Sequence, residues 1–259
     1  MLAFIAPGQG AQTPGMLTPW IAKPEALELL KAWSAEIDLD LVRLGTTADA
    51  DEIKDTANAQ PLIVAAGLLG ARALSDHRFA VVAGHSVGEI TAAALAGVIS
   101  EIDAMKLVRV RGVEMAKAAA LKPAGMAAVL GGDRTVVLKA ISDLGLVAAN
   151  DNGAGQIVAA GDLDALAQLA PEGARVRALA VAGAFHTSYM QSAVEPLRAL
   201  AAQLKVAEAK CGVISNKDGA VITDGREVLD RIVAQISNPV RWDLCMSTLA
   251  EHSSGAIEV

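Results

Sequence analysis

Apolar and polar positions alternate along this chain in blocks that predict strands and helices by turns. The first block, Leu2-Ala3-Phe4-Ile5-Ala6, is short, continuous and apolar, which predicts a buried strand; it stops at Pro7-Gly8-Gln9-Gly10. Leu27, Leu30, Trp33 and Ile37 recur at spacings of three and four and predict a helix over about 24–38. Pro61 predicts a helix start, and 62–74, apolar almost all round, reads as a buried helix. A buried strand is predicted at 79–83, a small-residue helix from Val87 to about Ala96, and another helix over about 103–120. Apolar strands alternating with helices predict an α/β fold with a mostly parallel sheet.

The pattern changes after Pro123. Strands are predicted at 126–130, 146–149, 156–160 and 176–182, and helices at 134–144 and 163–170, with Asn150-Asp151-Asn152-Gly153 as the loop joining the middle two strands. The order β-α-β-β-α-β is that of a ferredoxin-like module. The expected organisation is a large subdomain formed by 1–123 and 183–259, interrupted by a small one at 124–182. Helix and strand then alternate again to the last residue.

Composition narrows the reading. Of 259 residues 53% are hydrophobic but only 3% aromatic, so the core must be built from Ala, Val, Leu and Ile, and a disordered chain is excluded. Twenty-two basic residues against 29 acidic ones give a net charge of −7, poor footing for nucleic acid or an anionic membrane. An anionic ligand must therefore be met by individually placed cations. Cys211 and Cys245 form no CxxC pair and no Cys/His cluster, so two reduced core thiols are expected, with neither zinc nor a disulfide. The opening MLAFIAPGQG lacks a basic leader region, and no apolar run approaches the ~20 residues of a spanning helix. A soluble, cytoplasmic protein is expected.

Candidate chemistry centres on Gly84-His85-Ser86-Val87-Gly88, a GxSxG sequence between a predicted strand and a predicted helix. Such a turn holds a nucleophilic serine at strained backbone angles, with glycines where neighbouring chains come too close for a Cβ. It also aims the Val87 N–H at a developing oxyanion. The competing reading is a Gly-rich turn with a capping serine. A serine nucleophile needs a base. His85 adjoins Ser86 and points away from it on a tight turn, His77 sits in the polar patch Ser75-Asp76-His77-Arg78, and His252 lies in a polar stretch near the end. His186 follows the apolar run 179–185, at a strand's carboxyl end where α/β sites collect, and is the chosen base; a loop histidine is the alternative. Arg111 falls on the apolar stripe of Ala104, Val108, Met115 and Ala118, so its charge needs a partner, either a protein carboxylate or a substrate carboxylate. Gln9 lies between Gly8 and Gly10, which let backbone approach a ligand. Thr13 breaks a dinucleotide fingerprint, and no phosphate-binding GxxxxGK[ST] occurs.

Nine segments in order then agree with one family: PGQGAQ (7–12), NAQP (58–61), GHSVGE (84–89), RG…M (111–115), GMAAVLGG (125–132), GQIVAAG (155–161), GAFHT (183–187), SNKDG (215–219) and NPVRW (238–242). Together they resemble the malonyl-CoA:acyl carrier protein transacylases of the FabD type, in an actinobacterial-like version, over essentially the whole chain. The resemblance implies an α/β-hydrolase-like large subdomain with an inserted ferredoxin-like small subdomain. It implies Ser86 as the nucleophile, His186 as its base, and a backbone carbonyl at Gln235 orienting the histidine in place of an acid. Gln9 and Val87 resemble the oxyanion-hole donors, and Arg111 the residue that pairs with the malonyl carboxylate. Gln60, His85, Asn150 and Asn152 resemble pocket and supporting positions. Phe185 before the histidine resembles the malonyl-selecting members, where it fills the space an α-methyl needs.

The implied activity is malonyl transfer from malonyl-CoA to acyl carrier protein through a malonyl-serine, for fatty-acid or polyketide extension. Coenzyme A enters as the substrate thioester, with no metal and no other cofactor. The enzyme is expected to be a monomer. The carrier is acidic, so a basic patch near the cleft is expected, with Arg109, Lys117 and Lys217 as candidates. A thioesterase on the same Ser–His apparatus, or the acyltransferase subunit of a malonate decarboxylase complex, are the alternatives. Chains of the family continue past GAIEV, so this one is expected to be short at its carboxyl end.

Overall fold

The computed structural model describes residues 1–259. The first sheet has the order β10-β1-β2-β7-β8, with β1 (Leu2–Ala6), β2 (Phe79–Gly84), β7 (Gly212–Ile214), β8 (Val221–Ile222) and β10 (Gly255–Glu258). Its first four strands are parallel and β8 is antiparallel to β7. Ala3, Val81, Ala83 and Ile214 are fully or almost fully buried; these are the small and β-branched residues a strand covered on both faces requires. The short helices α1 (Thr18–Ile21) and α3 (Leu41–Thr46), with α2 (Pro24–Ile37), α4 (Thr56–Ala73), α5 (Gly88–Leu95) and α6 (Glu101–Leu121), supply the helical layers. They are joined later in the chain by α9 (Gln191–Ala201), α10 (Gly225–Gln235) and α11 (Trp242–His252).

The second sheet has the order β6-β3-β5-β4-β9. Strands β3 (Gly125–Gly131), β4 (Val147–Gly153), β5 (Gln156–Gly161) and β6 (Ala174–Ala178) pair antiparallel, with α7 (Arg134–Asp143) and α8 (Leu163–Gln168) between them in sequence. One face packs Ala127, Val129, Ile157 and Ala159 against Val137 and Ile141 of α7 and Leu166 of α8. The other face, with Met126, Ala149, Val158 and Ala160, belongs to the main core. The ferredoxin-like order is therefore present. The sheet also takes β9 (Val240–Arg241), parallel to β4, so it is completed by residues outside 124–182.

Three boundaries differ from the sequence reading. Helix α4 starts at Thr56, not after Pro61, because Asp55 caps it: the Ala57 N–H donates to Asp55 Oδ1 at 2.7 Å. Pro61 sits inside this helix, where its missing N–H would have reached the Ala57 carbonyl. Arg109 donates to that carbonyl at 3.0 Å instead and satisfies it. Asn150 to Gly153 are strand, not loop; the turn is moved to Ala154-Gly155, both at positive φ. The apolar run after Val176 stops being strand at Ala178. Its partner β3 begins at Gly125, and one further bond, from Leu179 N–H to the Met126 carbonyl at 2.9 Å, is all that follows. Residues 179–187 are thus irregular chain, free to turn into the cleft between the sheets.

Candidate active site

Strand β2 ends at Gly84 and α5 begins at Gly88, so His85, Ser86 and Val87 form a three-residue elbow. Ser86 is held at φ 51°, a strained value for a non-glycine residue. A Cβ on Gly84 would collide with the Gly88 carbonyl group, and one on Gly88 with the Ala6 carbonyl oxygen. The elbow is tight because both neighbours are glycine. Gly84→Ala is therefore expected to destabilise the protein by about 3 kcal/mol, read as a lower Tm, since rigid backbone and not a movable side chain meets the new methyl.

His186 reaches the elbow from the irregular segment, also at positive φ, 60°. Its Nε2 lies 2.8 Å from Ser86 Oγ and its Nδ1 2.8 Å from the Gln235 carbonyl oxygen. The carbonyl can only accept, so Nδ1 carries the proton and Nε2 is left as the acceptor for the serine hydroxyl. Burial, and then the charge of Arg111, push the His186 pKa down to about 3, so the ring is neutral near pH 7. This pair can take the proton of Ser86 as the oxygen attacks.

Arg111 on α6 is 1% exposed. Its guanidinium donates to Gln60 Oε1 at 2.8 Å, to Gln235 Oε1 at 2.8 Å and to Ser86 Oγ at 3.2 Å, while Nε has no partner. It forms no ion pair with any carboxylate; of the two partners left open by the sequence, the protein does not supply one in contact. Desolvation lowers its pKa to about 10, and it remains a cation. Gln60 is almost fully buried behind it and holds the guanidinium, so its place is that of a support and not of a cavity wall.

A cavity of about 240 Å3 opens over these groups, lined by Gln9, His85, Ser86, Asn150, Asn152, Phe185 and His186 with Met126, Ala128 and Val158 of the second sheet. The main-chain N–H groups of Gln9 and Val87 donate to no protein acceptor, which leaves both available to a ligand oxygen. His85 points away from the nucleophile, its Nε2 3.0 Å from Asn152 Oδ1 and its ring edge-on to Trp242, as the tight turn required. All eleven candidate residues thus lie in or directly around one centre. Two others were not singled out by the sequence reading. Glu89 is 3% exposed on α5, and Asn216 fully buried after β7. Asn216 Oδ1 accepts the Ser86 N–H at 2.8 Å and its Nδ2 donates to the Gly84 carbonyl at 2.8 Å. Glu89 was visible as the one charge between Val87 and Ala96.

The acyl transferase domain family matches residues 3–259. The malonyl CoA-acyl carrier protein transacylase of Mycobacterium tuberculosis strain H37Rv is 54% identical over 99% of this chain and 88% of its own length. This chain belongs to that family. The crystal structure of the Mycobacterium tuberculosis MCAT superposes with a TM-score of 0.96 at 53% identity, covering all of this chain and 88% of the other. A malonyl-transacylase solved in complex with its type II PKS acyl-carrier protein superposes at 0.87 with 25% identity, over 100% of this chain and 95% of its own. The α/β fold expected for the transacylase family is the one observed.

Proposed function

We propose that this protein transfers the malonyl group of malonyl-CoA to the phosphopantetheine thiol of acyl carrier protein, for fatty-acid or polyketide extension. The observation that carries the reading is Arg111: a buried guanidinium without a carboxylate in contact, 3.2 Å from the oxygen that would become acylated. A buried cation so placed favours an acyl group that brings its own carboxylate. Ser86 Oγ attacks the thioester carbon as its proton passes to His186 Nε2, and the Gln9 and Val87 N–H groups receive the oxyanion. The C–S bond breaks, and His186 returns the proton to the coenzyme A sulfur. The carrier's thiol then gives its proton to His186 and attacks the malonyl-serine, releasing Ser86. In this scheme Phe185 closes the space beside the acyl α-carbon and disfavours methylmalonyl, by the ~1–3 kcal/mol a single methyl allows. The scheme needs no metal or redox cofactor and has the enzyme act as a monomer in the cytoplasm. No helix is long and apolar enough to cross a membrane.

Intact-mass measurement after exposure to malonyl-CoA, followed by peptide mapping, tests the reading: one malonyl group on Ser86, stable until a thiol acceptor is added. Release of coenzyme A over many turnovers with no acceptor thiol, beyond the single equivalent that acylation of Ser86 sets free, would instead make the protein a thioesterase.

Of the candidates for a basic patch, Arg109 is engaged with the Ala57 carbonyl and Lys117 pairs with Glu114. Lys217 borders a separate groove along α10. Two better placed cations are Arg175 and Arg177 on the edge strand β6. They alternate with Ala174 and Val176, which pack toward α7 and α8, so they share the cleft face with Ala128, the neighbour of Arg177. Both are exposed and neither forms an ion pair. Replacing both by glutamine is expected to raise KM for the carrier about tenfold at low salt and to leave turnover of a phosphate-free malonyl-pantetheine unchanged, as steady-state kinetics across ionic strengths would read.

A further inference from the structure

His186 has no acid partner; its Nδ1 proton rests on a main-chain carbonyl. A buried carboxylate nevertheless sits one helical step beyond the nucleophile. Glu89 Oε1 accepts the Asn216 N–H at 2.5 Å, and Oε2 accepts from Gln235 Nε2 at 2.6 Å. Each of those two residues grips the reacting groups. Asn216 holds the Ser86 N–H and the Gly84 carbonyl, the two sides of the elbow. Gln235 donates to the Ser86 carbonyl at 3.0 Å, accepts from Arg111 through Oε1, and accepts from His186 through its main-chain oxygen. Nucleophile, base and guanidinium are thus all one residue away from the same carboxylate.

We propose that Glu89 is the positioning residue of this site, its two carboxylate oxygens locking Gln235 and Asn216 so that Ser86, His186 and Arg111 are held as a single rigid unit. It does the work of a triad acid at one remove. The proposal rests on the acyl-serine reading above and adds to it a group that touches no substrate. The arrangement requires the ionised form, since both oxygens accept from N–H donors; a protonated carboxyl offers an O–H where an acceptor is needed. Charged and titratable groups face it from three helices: Arg111 from α6, Arg231 from α10 and the Cys245 thiol from α11. The arginines stay cationic, and burial followed by Glu89 itself pushes Cys245 up to about 12, so neither kind of group titrates near neutrality. Burial raises Glu89 to about 7 against the pull of its two N–H donors and the arginines. His186, at about 3, stays neutral through the same range.

The test is the pH profile of Ser86 acylation by malonyl-CoA, measured by rapid quench and mass spectrometry in the full chain. The wild type is expected to gain rate with rising pH through about 7. Glu89→Gln is expected to lose that limb, running flat between about pH 5.5 and 8.5 at a rate about a hundredfold below the wild-type plateau, with KM changed less than about threefold. A Glu89→Gln variant that keeps the limb, or matches the wild-type plateau, overturns the proposal. Should that variant not fold, the ring nitrogen NMR signals of His186 in the wild type decide. A neutral ring while the rate falls supports Glu89; imidazolium forming in step with the rate overturns it. A wild type never acylated by malonyl-CoA would refute the functional reading itself, whereas a wild type that is acylated together with a Glu89→Gln variant acylated equally fast refutes only the role of Glu89.

Discussion

Ser86→Ala is expected to abolish acyl-enzyme formation and lower kcat for malonyl transfer by about 10^5-fold. The size follows from the chemistry. Without Oγ no covalent intermediate exists, and the remaining devices act only on direct attack by the carrier's thiol, for which His186 and the elbow are not aligned. The variant should fold normally. Alanine occupies the same positive φ of 51° as serine does, the Asn216 bond to the residue-86 N–H is a main-chain bond and survives, and only the hydroxyl's contacts with His186 and Arg111 are lost. A Tm within a few degrees of wild type, with no mass increase after malonyl-CoA, is the expected pair of results. Malonyl label retained on the variant would mean that another residue is the nucleophile.

Much of this site was legible in the sequence because its chemistry and its backbone geometry are written in adjacent positions. A buried strand, two glycines and a helix fix the elbow at Ser86 locally, and the stripe on α6 announces Arg111 before any partner is known. His186 was harder. The sequence pattern places it at the end of a strand, whereas it lies in irregular chain at positive φ, because β6 stops pairing at Ala178, opposite Ala127, and leaves the first two residues of β3 without a strand partner on that side. The apolar run 179–182 has strand composition, yet hydrogen bonding across the sheet, which composition does not encode, decides where the strand ends. The start of α4 is hidden from the sequence pattern for a related reason. Pro61 is normally a first-turn residue, and it is tolerated deeper in the helix because Arg109, 48 positions away in the chain, takes over the orphaned carbonyl. Glu89 and Asn216 carry little local signal because their significance lies in contacts made over more than a hundred residues. A charge in a small-residue helix was the sole local sign.

Arg111→Ala is expected to reverse the acyl preference, and here two effects act in the same direction. The first is binding. The malonyl carboxylate loses the buried cation proposed to receive it, and kcat/KM for malonyl-CoA should fall about 10^3-fold, the ~4 kcal/mol typical of removing one partner of a desolvated charge pair. The second is basicity. The Arg111 charge is the second cause, after burial, of the low His186 pKa. A bound malonyl carboxylate offsets that charge, so the charged substrate itself restores basicity to His186, while a neutral acetyl group leaves the ring facing an uncompensated guanidinium. Removing the guanidinium lifts this penalty for acetyl-CoA as well. Acetyl transfer should therefore hold steady or rise a few-fold in the variant while malonyl transfer collapses, a change in ratio that general loosening of the site does not produce. The orphaned Gln60 Oε1 and Gln235 Oε1 must find water in the space left behind, which costs stability but not the sign of the switch. Parallel kcat/KM measurements with the two thioesters read the outcome directly. An unchanged malonyl kcat/KM would move the carboxylate site elsewhere, and equal losses for both acyl groups would reduce Arg111 to a structural residue.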